Sequence, residues 1–222
     1  MSYTQTPSPN FNERKTVLRY IVLHYTGMEN GEMALERMCD PSAQVSAHYM
    51  IEEDGRVFQL VDEDKRAWHA GVSCWQGERD MNSASIGIEI VNGGHDFGLP
   101  EFPAVQIEAV IELVKSVMER HGIKAKDVIG HSDIAPGRKQ DPGEKFPWDQ
   151  LARAGCAIAA PEPKNDALSG DIEQALVQIG YSLEPGLDAV IEAFQRRYRP
   201  DGILGRLDAQ TKKMILDCAS SA

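Results

Sequence analysis

Apolar positions along this chain recur with two periods, and the points where the period changes mark out the elements. VLRYIVLHYT is rich in β-branched and aromatic residues and predicts a mostly buried strand from about Val17 to His24. A helix is expected next, near Gly31 to Met38. In AHYMIEEDGRVFQLV two apolar runs flank Glu53, Asp54 and Gly55, which predicts a β-hairpin because glycine takes the positive φ that such a turn requires. SIGIEIVN alternates as a strand and sets Glu89 on the face opposite Ile88 and Ile90. From Pro103 to Arg120, residues Ile107, Val110, Ile111, Val114, Val117 and Met118 recur at three- and four-residue intervals, giving one apolar helical face with Gly122 as its stop. DVIG reads as a short strand that feeds GHSDIAPGRKQDPG, residues 130–143, a stretch built for neither helix nor strand.

The rhythm breaks at AAPEPKNDALSG, residues 159–170, where prolines, small residues and charges point to a flexible connector. Beyond it, Ile172, Ala175, Leu176 and Ile179 form one helical stripe, Leu187, Val190, Ile191, Phe194 and Tyr198 a second, and Met214, Ile215 and Cys218 a third. The expected organisation is a larger unit over residues 1–158, a linker over 159–167 and a three-helix unit over 168–222. The fold class that follows is α/β, a mixed central β-sheet flanked by helices, with a small three-helix domain at the carboxyl end.

Charge narrows the partners. With 34 acidic against 23 basic side chains the net charge is -11, and no basic patch is concentrated anywhere, so nucleic acid and anionic lipid are expected to be repelled. No window approaches the roughly 18 apolar residues of a membrane span. The first residues, MSYTQTPSPNFNERK, lack the pattern of an export signal, so the expected location is the cytoplasm, or the periplasm if the chain is trimmed or takes another export route. Cys39, Cys74, Cys156 and Cys218 are scattered, unlike a zinc knuckle or a disulfide framework.

Candidate chemistry gathers at strand ends. His24 closes the first strand and His131 follows a later one, so if the two strands are neighbours both imidazoles emerge at one edge, and Asp141 can return across Pro136 and Gly137. Two neutral imidazoles and one carboxylate suit zinc and leave a fourth position open, as in catalytic sites. Read singly, the same residues have ordinary meanings: a strand-end histidine packs or is solvated, and an aspartate before proline forms a turn. Glu89, inside an apolar strand, either points to solvent or has a partner such as a metal-bound water. Lys139 alone reads as a solvated loop lysine. His48 reads as a core residue or one that orients a neighbour, and His95 and His121 as surface loop and helix-end residues. Trp68 and His69 in RAWHAGVS either line a substrate groove or, for the tryptophan, pack inside.

VLHYT, SAHYMI, RAWHAGVS, SIGIEIVN and GHSDIAPGRKQDPG occur in that order, and together they closely resemble the zinc-dependent N-acetylmuramoyl-L-alanine amidases of the AmpD/AmiD type, over roughly residues 15–155. That resemblance implies His24, His131 and Asp141 as ligands of one zinc ion per chain, and Glu89 and Lys139 as the catalytic pair. Glu89 would take a proton from the attacking water and pass it to the leaving amine, and Lys139 would stabilise the oxyanion. The implied reaction cleaves between N-acetylmuramic acid, or its anhydro form, and L-alanine, in peptidoglycan or soluble muropeptides. IEQALVQIGY, VIEAFQRRY and DGILG resemble a three-helix peptidoglycan-binding domain over roughly residues 168–220, with one departure, a threonine delayed to Thr211. Such a tethered domain would raise the local concentration of polymer around the site. Two other classes stand beside the amidase: a non-catalytic protein that binds or senses wall fragments, and a zinc peptidase cutting further along the stem.

Overall fold

Six strands make the central sheet of this computed structural model, which describes residues 3–161 and 170–220. Their order is β1 (Thr4–Gln5), β5 (Val57–Gln59), β4 (Tyr49–Ile51), β7 (Ser85–Ile90), β3 (Tyr20–Tyr25) and β8 (Val128–Gly130). Only the β4–β5 hairpin is antiparallel, with Tyr49 opposite Gln59 and Ile51 opposite Val57, so the sheet is mixed as the sequence implies. Gly55 turns that hairpin at φ 84°, a conformation costly for residues with a Cβ. A separate two-stranded ribbon pairs β2 (Phe11–Glu13) with β6 (Lys65–Ala67).

Alternation along the central strands sorts side chains into two faces. Ile21 and Leu23 of β3 and Ile86, Ile88 and Ile90 of β7 share a core with helix α3 (Ala104–His121), whose Ile107, Val110, Val114 and Val117 are buried. Gly122 ends α3 in the left-handed conformation at φ 68°. The opposite face of β7 carries Ser85, Gly87 and Glu89, and that polar stripe becomes the floor of the site. Strand β3 starts later than its apolar run implies: Val17 is 75% exposed and strand pairing begins only at Tyr20. Helix α1 (Gly31–Cys39) stands where expected, its amino end capped by Asn30, which accepts from the Met33 N–H at 3.0 Å. After β6, a single helical turn α2 (Met81–Ala84) leads directly into β7.

The residues between β8 and the next helix are more ordered than their turn-rich composition suggests. Residues His131–Ile134 form one turn of helix, α4, because Asp133 Oδ2 accepts from the Gly130 N–H at 2.8 Å and caps the turn.

Three helices follow near the carboxyl end: α6 (Ile172–Ile179), α7 (Leu187–Tyr198) and α8 (Ala209–Ser220), preceded in the chain by α5 (Trp148–Arg153). Asp208 Oδ1 accepts from the Thr211 N–H at 2.8 Å, so the delayed threonine still opens α8 in a capped form. Residues 162–169, most of the expected linker, lie outside the described residues. The three helices do not enclose a core of their own: Leu176, Val190, Phe194 and Ile215 pack in one continuous cluster with Tyr20, Val22, Trp75, Ile129 and Ile134 of the sheet unit. Periodicity reveals that a helix has an apolar stripe, not what the stripe meets.

Candidate active site

Parallel pairing delivers three functional side chains to one end of the sheet. His24 and Glu89 sit opposite each other in the β3–β7 register, and Leu23 pairs with Gly130, so His131 leaves β8 alongside His24. In open α/β sheets this carboxyl edge of the strands is where ligands bind. The loop after α4 brings Asp141 back to the same place, and Ser132 N–H donates to the Asp141 carbonyl at 2.8 Å to hold the return.

His24 Nδ1, His131 Nδ1 and Asp141 Oδ2 form a triangle with every side 2.9 Å. All three residues are buried, at 1%, 3% and 5% exposure, so water does not satisfy these atoms from outside. Hydrogen-bond polarity shows what each atom offers. A carbonyl only accepts, so His131 Nε2, 2.9 Å from Ala70 O, carries the proton of the neutral ring and leaves Nδ1 with its lone pair. The same logic passes through His24. Ser85 Oγ donates to Met81 O and is left to accept from His69 Nε2 at 3.4 Å, so His69 Nδ1 accepts from His24 Nε2–H at 3.0 Å. His24 Nδ1 is then also a bare lone pair.

Two imidazole lone pairs and a carboxylate oxygen repel one another unless a cation lies among them. Ligand atoms of a tetrahedral zinc-type site lie about 3.3 Å apart, within a few tenths of an ångström of this triangle. The group therefore fits a metal ion, and among the described residues it is the only such cluster of histidine, cysteine and acidic side chains. Burial first, and the neighbouring His131 ring second, push His24 down to about 4, which keeps its imidazole neutral near pH 7. Burial raises Asp141, but His131 and His24 outweigh it and hold the carboxyl well below the usual range.

Glu89 occupies the neighbouring position. Its Oε2 is buried without a hydrogen-bond partner, and the side chain borders a cavity of about 320 Å³ that is also lined by Thr26, Met28, Arg37, Met38 and Val45. Burial first, and the Asp141 charge second, push its carboxyl well above the ordinary value, with Lys139 opposing. Lys139 is partly buried and its charge acts on both His24 and Glu89. An unpartnered carboxyl with a raised affinity for protons, beside a metal-type cluster, is a group equipped to take up a proton.

Within RAWHAGVS, His69 and Ala70 lie behind the ligand triangle. His69 is 6% exposed and stands behind His24, and the Ala70 carbonyl stands behind His131, so this segment backs both imidazoles. Asn82 fixes it, its Oδ1 accepting from the N–H groups of His69 and Ala70 at 2.9 and 2.7 Å. His69, expected beside Trp68 at a substrate groove, is buried with its ring nitrogens facing His24 and Ser85; the sequence shows an aromatic residue near a site but not which side it approaches from. Trp68 is partly exposed, and its indole N–H donates to Asn12 Oδ1 at 3.2 Å. Gly87 leaves the space for the His69 ring, since a Cβ there would lie 2.4 Å from it. His95 is more than a surface residue: it bonds the Tyr25 hydroxyl at 2.9 Å and Glu144 at 3.0 Å. His121 ends α3 against Glu63.

His48 lies outside the ligand triangle, fully buried, with Nδ1 accepting from Gly87 N–H at 2.9 Å. Burial, then the Arg14 guanidinium, push it down to about 3. Its folded affinity for protons is lower than in the unfolded chain, where His titrates near 6.5, so its contribution is complete above about pH 6.5 and is lost as pH falls towards 3. In that window one such group steepens the loss by about 1.4 kcal/mol per pH unit. Urea unfolding of metal-free protein between pH 7 and 4.5 is expected to show His48→Gln taking up about one proton fewer than wild type; equal slopes would remove His48 from the acid response.

Comparison with known proteins places this geometry in company. The family profile for N-acetylmuramoyl-L-alanine amidase, Amidase_2, matches residues 13–144. N-acetylmuramoyl-L-alanine amidase AmiD of Escherichia coli (strain K12) is 34% identical over 223 aligned residues, covering 88% of this chain and 80% of that protein. The structure of E. coli AmiD in complex with the substrate anhydro-N-acetylmuramic acid-L-Ala-D-gamma-Glu-L-Lys is similar at TM-score 0.81 and 33% identity, covering 92% of this chain and 89% of the other. AmpDH3 from Pseudomonas aeruginosa, in complex with anhydromuramic pentapeptide, gives 0.82 and 33%, with 90% of each chain covered.

Proposed function

Because the chain belongs to the N-acetylmuramoyl-L-alanine amidase family, we propose that it hydrolyses the amide bond between N-acetylmuramic acid, or its anhydro form, and L-alanine of the peptidoglycan stem, with His24, His131 and Asp141 holding one zinc ion. The observation that carries the reading is the buried triangle of unprotonated ligand atoms next to an unpartnered Glu89. An N2O donor set suits zinc, which when bound supplies Lewis acidity, polarising a carbonyl and making water acidic near neutral pH.

The remaining work falls to the chain. Glu89 accepts a proton from the attacking water and returns it to the leaving amine of L-alanine, a task for which its raised proton affinity fits it. Lys139 supplies positive charge where the carbonyl oxygen becomes negative. The Glu89 cavity, about 320 Å³, takes the substrate beside the scissile bond, and the partly exposed Trp68 stays a candidate for contact with sugar or peptide. Helices α6, α7 and α8 serve as a peptidoglycan-binding-like unit over residues 168–222, a reading supported by IEQALVQIGY and VIEAFQRRY around α6 and α7 and by DGILG between α7 and α8. No described helix is long and apolar enough to cross a membrane.

Incubation with purified anhydro-muropeptide, with and without a chelator, tests the proposal. A new free L-alanine amino terminus, lost on chelation, is the expected result. Intact substrate in the presence of bound zinc would favour a binding or sensing protein instead, and a fragment cut further along the stem would mark a peptidase. Fractionation of the native protein between cytoplasm and periplasm tests where it works.

His69 acts as the acceptor that fixes the His24 tautomer. His69→Leu is expected to weaken zinc binding about 10- to 100-fold, whereas His69→Asn, whose Oδ1 takes the place of Nδ1, keeps it close to wild type. Gly87→Ala should behave like the leucine variant, because its methyl displaces the ring. Zinc competition with a chromophoric chelator reads all three; equal affinities across the set would show that His69 only fills space.

A further inference from the structure

We propose that the carboxyl-terminal helices hold the metal loop in place, with Tyr181 and Arg197 as positioning residues for His131. This inference rests on the metal-site reading above. The contacts fall on both sides of the ligand. Three residues before it, Arg197 Nη2 donates to the Val128 carbonyl at 3.1 Å; two residues after it, the Tyr181 hydroxyl donates to Asp133 Oδ1 at 2.7 Å. Asp133 passes that constraint on, because its other oxygen accepts from Gly130 N–H, the residue adjoining His131. Arg197 Nη1 lies 3.6 Å from the same carboxylate, and both groups are buried, at 5% and 1% exposure.

Neither side chain is free to yield. The Arg197 guanidinium sits 3.5 Å from the ring centroid of Trp148, at the start of α5, and Tyr181 packs edge-on against Trp75 at 5.0 Å. Separating the helices from the sheet unit would break this buried ion pair together with the Tyr181 bond to the same carboxylate. Further contacts bracket the second ligand: a Cβ on Gly137 would meet Ala189 of α7 at 3.2 Å, and Arg196 Nε lies 3.6 Å from Glu144, three residues past Asp141. Helix α7 thus touches the chain before, between and after the two ligands of this loop. A mobile tether would make none of these contacts.

The test uses full-length protein and zinc alone, with affinity read by chelator competition and stability by thermal unfolding of the metal-free form. Tyr181→Phe and Arg197→Met each remove one bracket. Met214→Ala is the control, since it thins the core where α8 packs on α6 and α7 and leaves the Tyr181 and Arg197 bonds to residues 128–133 in place. We expect about a tenfold loss of zinc affinity in the first two, the scale of lost outer-shell support, and wild-type affinity in the control even where it unfolds at a lower temperature. Wild-type affinity in both Tyr181→Phe and Arg197→Met would overturn the inference, as would an equal loss in Met214→Ala, which would mark general destabilisation. If wild type itself takes up no zinc, the metal-site reading falls, and this inference with it.

Discussion

Glu89→Gln is expected to lower kcat for muropeptide hydrolysis by about 10³-fold while metal content stays near that of wild type. The amide has the shape of the carboxyl but cannot take a proton, and the position leaves no substitute: Glu89 lies opposite His24 in the β3–β7 register, and one of its oxygens is buried without a partner. A carboxyl that burial and Asp141 make unusually basic is costly to keep unless the basicity is used. Steady-state rates together with metal analysis of the same sample decide the matter. Loss of the metal would make Glu89 a ligand, and retained turnover would pass the proton transfer to another group.

The second large effect follows from taking apart the triangle. Asp141→Ala removes the only anionic ligand and leaves two imidazole lone pairs facing each other at 2.9 Å. Zinc retention and hydrolysis are both expected to fall to background. The thermal signature should vanish as well. A ligand at 100 times its Kd stabilises the folded state by about 2.7 kcal/mol, which for a chain of this size corresponds to a rise of roughly 5–10 °C in Tm. Wild type should show that rise on adding zinc after chelation; Asp141→Ala should show none. A zinc-dependent rise that survives in the variant would place the ion elsewhere.

Much of this was legible in the chain because strand ends are legible. VLHYT and DVIG fix where β3 and β8 stop, and once the two strands pair in parallel His24 and His131 come together. Alternation in SIGIEIVN placed Glu89 opposite its isoleucines, which is where it stands. What escaped were relations between elements. Nothing in RAWHAGVS tells which side of His24 the His69 ring reaches; only Gly87, a small residue in a strand of isoleucines, points to a ring packed against β7. Asp133 was hidden in a turn-rich run, though its spacing from Gly130 is that of a helix cap. Tyr181 and Arg197 could not be foreseen as neighbours of Asp133, since periodicity assigns a stripe to α7 without naming the surface it covers. Through these two side chains the carboxyl-terminal helices form part of the wall behind the site.

Anomalous scattering from zinc-soaked crystals, recorded on both sides of the zinc edge, tests the central claim most directly. One peak is expected within about 2.0–2.2 Å of His24 Nδ1, His131 Nδ1 and an Asp141 oxygen, with room left for one more ligand. Zinc bound at full occupancy somewhere else, with this triangle empty, would contradict the account.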